Sequence, residues 1–358
     1  MTSTEIYLEL LRAGLWNRPA VVSGSVRLGE LLSLAESQST QVIVSRALLD
    51  KMGPRLPQQM HDRLQQNVQR CLKSHQAANS VIAYASAELS AEGIAPVLLK
   101  GQGNASHYPV PALRVAGDID LYVNDFEKAR GVMARLFGAE TETGTKHVTY
   151  HVGGTLYIEL HRFTETLRDK RFNAEYQRIS GLGTSLGLEE VTLDGALVNT
   201  PEPTFNAFYI FHHLWHHTEG MGIGMRQLCD WAVFLHSHKG RLDAEKLAGW
   251  LDFFHLKDVW QVFGCAAVQA LDLPEGDVPF YDASKAKRGA KLLDFFLAQG
   301  DNRDFKHGRS SQSRLVHKGG SLRFIHRRLR MMFPIFPGKA LLQYVGDLKN
   351  GLLKLFKA

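Results

Sequence analysis

The chain has 358 residues, 44% hydrophobic and 22% charged, which is ordinary for a globular protein and long enough for two or three domains with cores of their own. Three distant cysteines, Cys71, Cys229 and Cys265, with no Cys-x-x-Cys pair, exclude a disulfide framework and a cysteine zinc site. The net charge of +6 is uneven: residues 306–358 hold 12 Lys or Arg against one acid, Asp347, while the remainder has 30 basic and 35 acidic residues, which disfavours a broad nucleic-acid platform.

The start, Met1-Thr2-Ser3-Thr4-Glu5, has neither a basic nor a long apolar leader region, and no apolar run is long enough to cross a bilayer. The sequence therefore reads as cytoplasmic. Residues 1–92 read as helical, with an apolar stripe opened by Leu28, Leu31, Leu32 and Leu34 and a helix-rich stretch from His61 to Glu92. Pro54 and Pro57 break this region in two.

Near residue 93 the pattern changes. Gly93-Ile94-Ala95-Pro96 is a turn and Val97-Leu98-Leu99 a short buried strand, followed by Lys100-Gly101-Gln102-Gly103 at the start of a helix. That turn suits an anionic phosphate, because glycine lets the backbone approach closely; an ordinary strand-to-helix turn with a solvated lysine is the alternative. Gly117-Asp118-Ile119-Asp120-Leu121-Tyr122-Val123 follows, strand-like, with Asp118 and Asp120 on one face. Residues 126–137 repeat at helical spacing. Strands at 146–152 and 155–161 are joined by Gly153-Gly154, a favoured hairpin turn. The second strand puts Glu159 between Tyr157 and His161 on one face. Three carboxylates brought together on neighbouring strands need a cation between them, and hard oxygen donors suit Mg²⁺ or Mn²⁺. Arg114, four residues before Asp118, has the chemistry to clamp a phosphate, or equally to orient Asp118 by an ion pair. His161 is read as a substrate contact, a partner to a metal ligand, or a satisfied core histidine.

From residue 201 the chain is helical again. Pro201 and Pro203 introduce a segment through His217, and Gly220-Met221-Gly222-Ile223-Gly224 separates it from a helix at 225–238. Further helices are predicted at 243–255, 257–271 and 284–299. His212-His213-Leu214-Trp215-His216-His217 offers two i, i+4 histidine pairs, yet lacks the glutamate of a His-Glu-x-x-His zinc site. Arg226 and Asp230 are spaced for an intrahelical ion pair. Ser310-Ser311-Gln312-Ser313 and Gly319-Gly320-Ser321 mark a polar join to a basic tail rich in Leu322, Phe324, Ile325, Met332, Phe333 and Phe336. The tail is either a surface for an anionic membrane, through 320–358, or a helical flap packed on its own acidic body.

These motifs carry a resemblance. Gly117-Asp118-Ile119-Asp120 with a third acid in an apolar strand resembles the DNA polymerase β-like nucleotidyltransferase superfamily. Leu98-Leu99-Lys100-Gly101, Tyr108-Pro109, Arg114 and Ile158-Glu159-Leu160-His161 narrow it to a bacterial family of uncharacterised nucleotidyltransferases, often associated with surface-polysaccharide gene clusters. The resemblance covers roughly residues 30 to 300. It implies an α+β fold: a polymerase-β-like core, a small mixed sheet with helices, flanked by N- and C-terminal helical domains. The corresponding boundaries are 1–92, 93–200, 201–305 and a basic amphipathic tail at 306–358.

It also implies two metal ions bridged by Asp118 and Asp120, with Glu159 completing one site: one metal activates the acceptor hydroxyl and the other holds the triphosphate. Lys100, Gly101, Gly103, Arg114 and Gly117 would bind the nucleotide. Where the wider superfamily has Gly-Ser this chain has Lys100-Gly101, so Lys100 replaces a serine contact with a point charge. His213, His217, Arg226 and Asp230 match recurring family positions and are read as lining a cleft or packing the core. The implied activity is transfer of a nucleotidyl group from an NTP to a hydroxyl, on a small molecule or glycan intermediate. A protein-modifying AMP or UMP transferase, and a non-catalytic nucleotide-binding or assembly protein, are the other readings. A location peripheral to the inner membrane face follows if the tail binds lipid.

Overall fold

A computed structural model describes residues 1–24, 26–220, 223–299, 323 and 325–356, with 350–356 in backbone only. Thr2 starts the first helix with a capping box: its hydroxyl accepts from the Glu5 N–H at 3.2 Å, and the Glu5 carboxylate accepts from the Thr2 N–H at 2.7 Å. Helices α1 (Ser3–Leu15), α2 (Leu28–Ser37) and α3 (Gln41–Met52) follow, and beyond the two prolines comes the 34-residue α4 (Gln58–Ala91). One half of α4 buries Leu64, Val68 and Cys71 in a large helical core, and the other half buries Ala78, Ile82, Ala85 and Leu89 with the sheet.

The sheet is built from β1 (Val97–Leu99), β2 (Ile119–Tyr122), β3 (Glu142–Thr143), β4 (His147–Gly153) and β5 (Leu156–His161), with α5 (Gly101–Ala105) and α6 (Phe126–Phe137) in the connections. Its order is β1-β2-β5-β4-β3. β2 and β5 run parallel, and the other pairs are antiparallel. The register sets Asp120 beside Glu159 and Tyr122 beside His161. Strand alternation then divides the sheet. Leu98, Ile119, Leu121, Val148, Tyr150, Ile158 and Leu160 share one core with the end of α4 and with α6. Asp120, Glu159, His161, Thr149 and His147 occupy the opposite positions.

Between residues 162 and 200, where the sequence reading assigns no element, the chain forms α7 (Lys170–Gly183) and a hairpin of β6 (Glu189–Leu193) and β7 (Ala196–Thr200). Asp194-Gly195, with φ of 47° and 93°, makes the tight turn. Both residues need positive φ there, which is why Asp-Gly is a strong hairpin signal.

The remaining helices are α8 (Pro203–Glu219), α9 (Met225–Ser237), α10 (Ala244–Phe253), α11 (Lys257–Leu271) and α12 (Ala286–Gln299), followed by a helical stretch at 325–332 and α13 (Pro337–Phe356). Phe205, Phe208, Phe211, Trp231, Trp260 and Phe263 share one core with Tyr7, Leu10, Leu11, Val44 and Leu48 from the N-terminal helices. Buried Gln38 ties the two ends: its amide donates to the Phe296 carbonyl at 3.0 Å and its oxygen accepts from the Met225 N–H at 3.0 Å. The beginning of the tail packs on this body, with Ile325, Met332, Ile335 and Phe336 buried and Phe336 edge-on to Trp215. Met221-Gly222, the 310–313 and 319–321 joins, Leu322 and Phe324 lie outside the described residues. No described helix is long and apolar enough to cross a membrane.

Candidate active site

The polar side of the sheet gathers charge because β2 and β5 pair in parallel register. Asp120, nearly buried, receives two cationic donors on one oxygen: His161 Nε2 at 2.9 Å and Lys100 Nζ at 3.2 Å. His161 Nε2 also lies 3.2 Å from Glu159 Oε2, and His147 Nδ1 lies 3.5 Å from that same oxygen. Burial opposes ionisation of Asp120, but the Lys100 and His161 charges win and hold its carboxyl well below the usual range. The same balance raises Lys100 and His161: burial disfavours their cations, and the carboxylates outweigh it. The cluster is therefore carboxylate anions held among cations. His147, Glu159 and His161 also present ligand atoms within 4.8 Å of one another.

Lys100 reaches this point through an unusual turn. It has φ 47° and ψ −143°, followed by Gly101 at φ 44°. A Cβ on Gly101 would stand 3.4 Å from the Asp118 carbonyl oxygen, so the two segments approach backbone to backbone. A lysine held in positive φ costs of order 1 kcal/mol, and such strain persists only where the surroundings fix it. Gly103 packs similarly, its missing Cβ facing Thr200 at 3.2 Å. Asp118 is exposed, one residue before β2 and two before Asp120.

Helix α8 forms the facing wall. Lys100 Nζ sits 5.8 Å from the Tyr209 ring centroid. Burial raises the Tyr209 phenol, and the charges of Asp120, Glu165 and Glu159 raise it further. Burial and then the Lys100 charge keep His213 neutral. The Tyr209 hydroxyl and His213 Nδ1 are both buried without a hydrogen-bond partner, which is costly unless a ligand completes them. The four histidines of α8 divide. His212 is packed among Tyr176 and Phe208, His213 and His217 touch ring to ring at 4.4 Å, and His216 is exposed. Among the described residues none of the four enters a group of three metal-ligand side chains.

Arg114 and Asp230 are brought together, but with each other. Arg114 donates from Nε and Nη2 to the two Asp230 oxygens at 2.7 and 2.8 Å, and the Tyr108 hydroxyl donates to Asp230 at 2.7 Å. The helical spacing pairs Asp230 with Arg226, and the phosphate reading gives Arg114 to the nucleotide; the structure commits Arg114 to bracing the chain before Asp118 against α9. Arg226 Nη1 lies 3.5 Å from the Val115 carbonyl oxygen and 3.9 Å from where a Gly117 Cβ would stand. The sequence reading does not select Tyr209, His147 or the Lys146–Glu165 pair, which lies at 3.1 Å. Only for His147 was there a signal, its alternation with Thr149 on a predicted strand.

A family model described as uncharacterised nucleotidyltransferase matches residues 24–252, a span that includes every side chain just described. No curated protein matches the chain. A solved structure of an antigenic nucleotidyltransferase-like protein from Paracoccidioides brasiliensis is similar at 11% identity, covering 58% of this chain and 95% of that one, with a TM-score of 0.35.

Proposed function

Since the chain belongs to the family of uncharacterised nucleotidyltransferases, we propose that it moves an NMP group from an NTP to the hydroxyl of a small molecule or glycan intermediate. The observation that carries this reading is the pairing of Asp120 with Glu159 across β2 and β5, beneath the unsatisfied Tyr209 hydroxyl and His213 ring nitrogen of α8.

The hard oxygens of Asp120 and Glu159 suit a divalent cation in kind, while among the described residues the close ligand group on this face is His147, Glu159 and His161 rather than the three carboxylates. Asp120 already draws two positive groups to one oxygen, and Glu159 stands beside it. Asp118, Asp120 and Glu159 would hold Mg²⁺ or Mn²⁺, which in such sites lowers the pKa of the attacking hydroxyl and offsets triphosphate charge. The chain's own groups do the rest. Lys100, half-buried and with its cation favoured by Asp120, supplies a fixed positive charge for a phosphate. His161 holds Asp120 and Glu159 in one orientation through a single nitrogen. Tyr209 and His213 offer a donor and a neutral ring to a ligand in the cleft, and α8 shields the charges from water, which strengthens them.

Nucleoside triphosphates labelled at the α-phosphate, supplied singly with glycan or small-molecule acceptors, test this reading. Label should pass from one NTP to an acceptor with pyrophosphate released, and Asp120→Asn should slow transfer by at least two orders of magnitude, about 3 kcal/mol of lost transition-state stabilisation. Equal transfer by the variant would remove Asp120 from the chemistry. Label appearing on Ser, Thr or Tyr of a protein would favour the protein-modifying reading.

A membrane contact through the tail is a second proposal. It is supported by the outward-facing Leu341, Leu342 and Val345 of α13 and the basic composition of 306–358. Co-sedimentation with anionic vesicles at low salt should occur; its absence would leave the tail as a flap.

A further inference from the structure

Apart from the charged face of the sheet, a second group of ligand-type side chains comes from three other elements. His107 lies in the turn after α5, Glu189 begins β6, and His238 caps the end of α9. Their ligand atoms all lie within 4.8 Å of one another. We propose that His107, Glu189 and His238 form a metal site for Zn²⁺ or a similar borderline cation, fastening the α5 turn and β6 to α9.

His238 is held so that one ring nitrogen faces Glu189. Its Nδ1 lies 2.9 Å from both the Phe234 carbonyl oxygen and the Ser237 hydroxyl, and these two neighbours fix the orientation of the ring. The Ser237 hydroxyl donates to the same carbonyl at 2.9 Å. His238 Nε2 is thereby directed at Glu189 Oε2, which lies 2.8 Å away. A ring proton on Nε2 joins the two as a hydrogen bond, and a metal ion in its place would take a lone pair from each. One ring nitrogen held by a carbonyl and a hydroxyl while the other faces a carboxylate is an arrangement that metal-binding histidines use.

The other two residues fit the same assignment. His107 Nε2 is buried and has no hydrogen-bond partner. Burial, helped by the neighbouring His238 and opposed by Glu189, pushes this ring down to about 4, so it stays neutral with a lone pair to give. It stands edge-on to His238 at 4.8 Å and to Phe234 at 5.1 Å. Arg241 holds the other Glu189 oxygen at 3.0 Å, which leaves Oε2 directed at His238. Tetrahedral zinc with nitrogen and oxygen ligands spaces its donors about 3.3 Å apart, so Nε2 and Oε2 need to part by about half an ångström. Two histidines and a carboxylate leave a fourth position for water.

The test uses the full chain with His147→Ala and Glu159→Gln, which removes the histidine group on the sheet. Zn²⁺ competed against a chromogenic chelator should bind at one equivalent, and Co²⁺ in its place should show intense visible bands of tetrahedral geometry. His107→Phe, which keeps a ring in the packing, and Glu189→Gln should each weaken binding at least 100-fold while circular dichroism stays unchanged. No binding at micromolar Zn²⁺ by the folded protein, or equal binding by the folded His107→Phe variant, would overturn the site and leave His238 as a hydrogen-bond partner of Glu189.

Discussion

At the scale of single residues, Arg114 and Asp230 carry more of the architecture than their spacing suggests. Both are buried, and the Tyr108 hydroxyl completes the carboxylate. Removing one member of a buried pair leaves the other charge uncompensated, at about 3–5 kcal/mol. Asp230→Asn should therefore lower unfolding free energy by that amount in urea titrations; a loss under about 1 kcal/mol would show that water reaches the pair. This partnership was not legible in the sequence, because it joins residues 116 apart through the approach of α9 to the loop before β2. Asp120 and Glu159 were legible, because strand alternation alone fixes the face on which each lies. The strained Lys100 turn was half legible: Lys-Gly announces a turn, but positive φ on the lysine itself is set by the closeness of Gly101 to the Asp118 backbone.

At the scale of elements, packing between α7 and α8 depends on Gly183. A Cβ there would fall within 2.6 Å of Phe205 Cδ1, a rigid ring in the core. Gly183→Ala should destabilise by about 1–3 kcal/mol through overpacking, read as a lowered thermal midpoint; an unchanged midpoint would mean that α7 shifts freely. The end of α8 makes a different prediction. Burial pushes Glu219 up to about 7, against the lowering influence of Lys339, Arg328 and Arg168, and the last carbonyls of the helix disfavour its charge. Between its ordinary 4.5 and about 7 the folded state holds the extra proton, so this group stabilises fully below 4.5 and loses that contribution as pH rises through about 7. Glu219→Gln should raise the melting temperature by a few degrees at pH 8 and by little at pH 4.5. A rise of equal size at both values would contradict the raised pKa. The β6–β7 hairpin was available to sequence reading through Asp194-Gly195. The helical runs at 126–137, 225–238 and 257–271 were readable because their apolar residues repeat every three or four positions.

At the scale of the molecule, the small mixed sheet presents one face to apolar packing and the other to charge, with helices on both sides. Chain order suggests separate helical blocks before and after the sheet. Residues from α1 and α3 instead share a core with α8, α9 and α11, joined by Gln38 and by Arg12, which donates to the Ala270 carbonyl at 2.9 Å. Each helix announces its own apolar stripe, but which stripes meet is decided by shape and by the connections between them, and local periodicity carries neither. The consequence for function is that Asp120 and Glu159 are held between two helical faces: α4 packs beneath the sheet, and α8 stands over its charged side.

A nucleotide site on the charged face of the sheet is tested by calorimetric titration of ATP, GTP, CTP and UTP, each with Mg²⁺ or Mn²⁺, against the wild type and the Asp118→Asn/Asp120→Asn double variant. The wild type should bind one nucleotide selectively and only with metal, and a folded double variant should lose that binding. Absence of nucleotide binding by the wild type, or equal binding by the variant, would contradict a catalytic site on this face of the sheet.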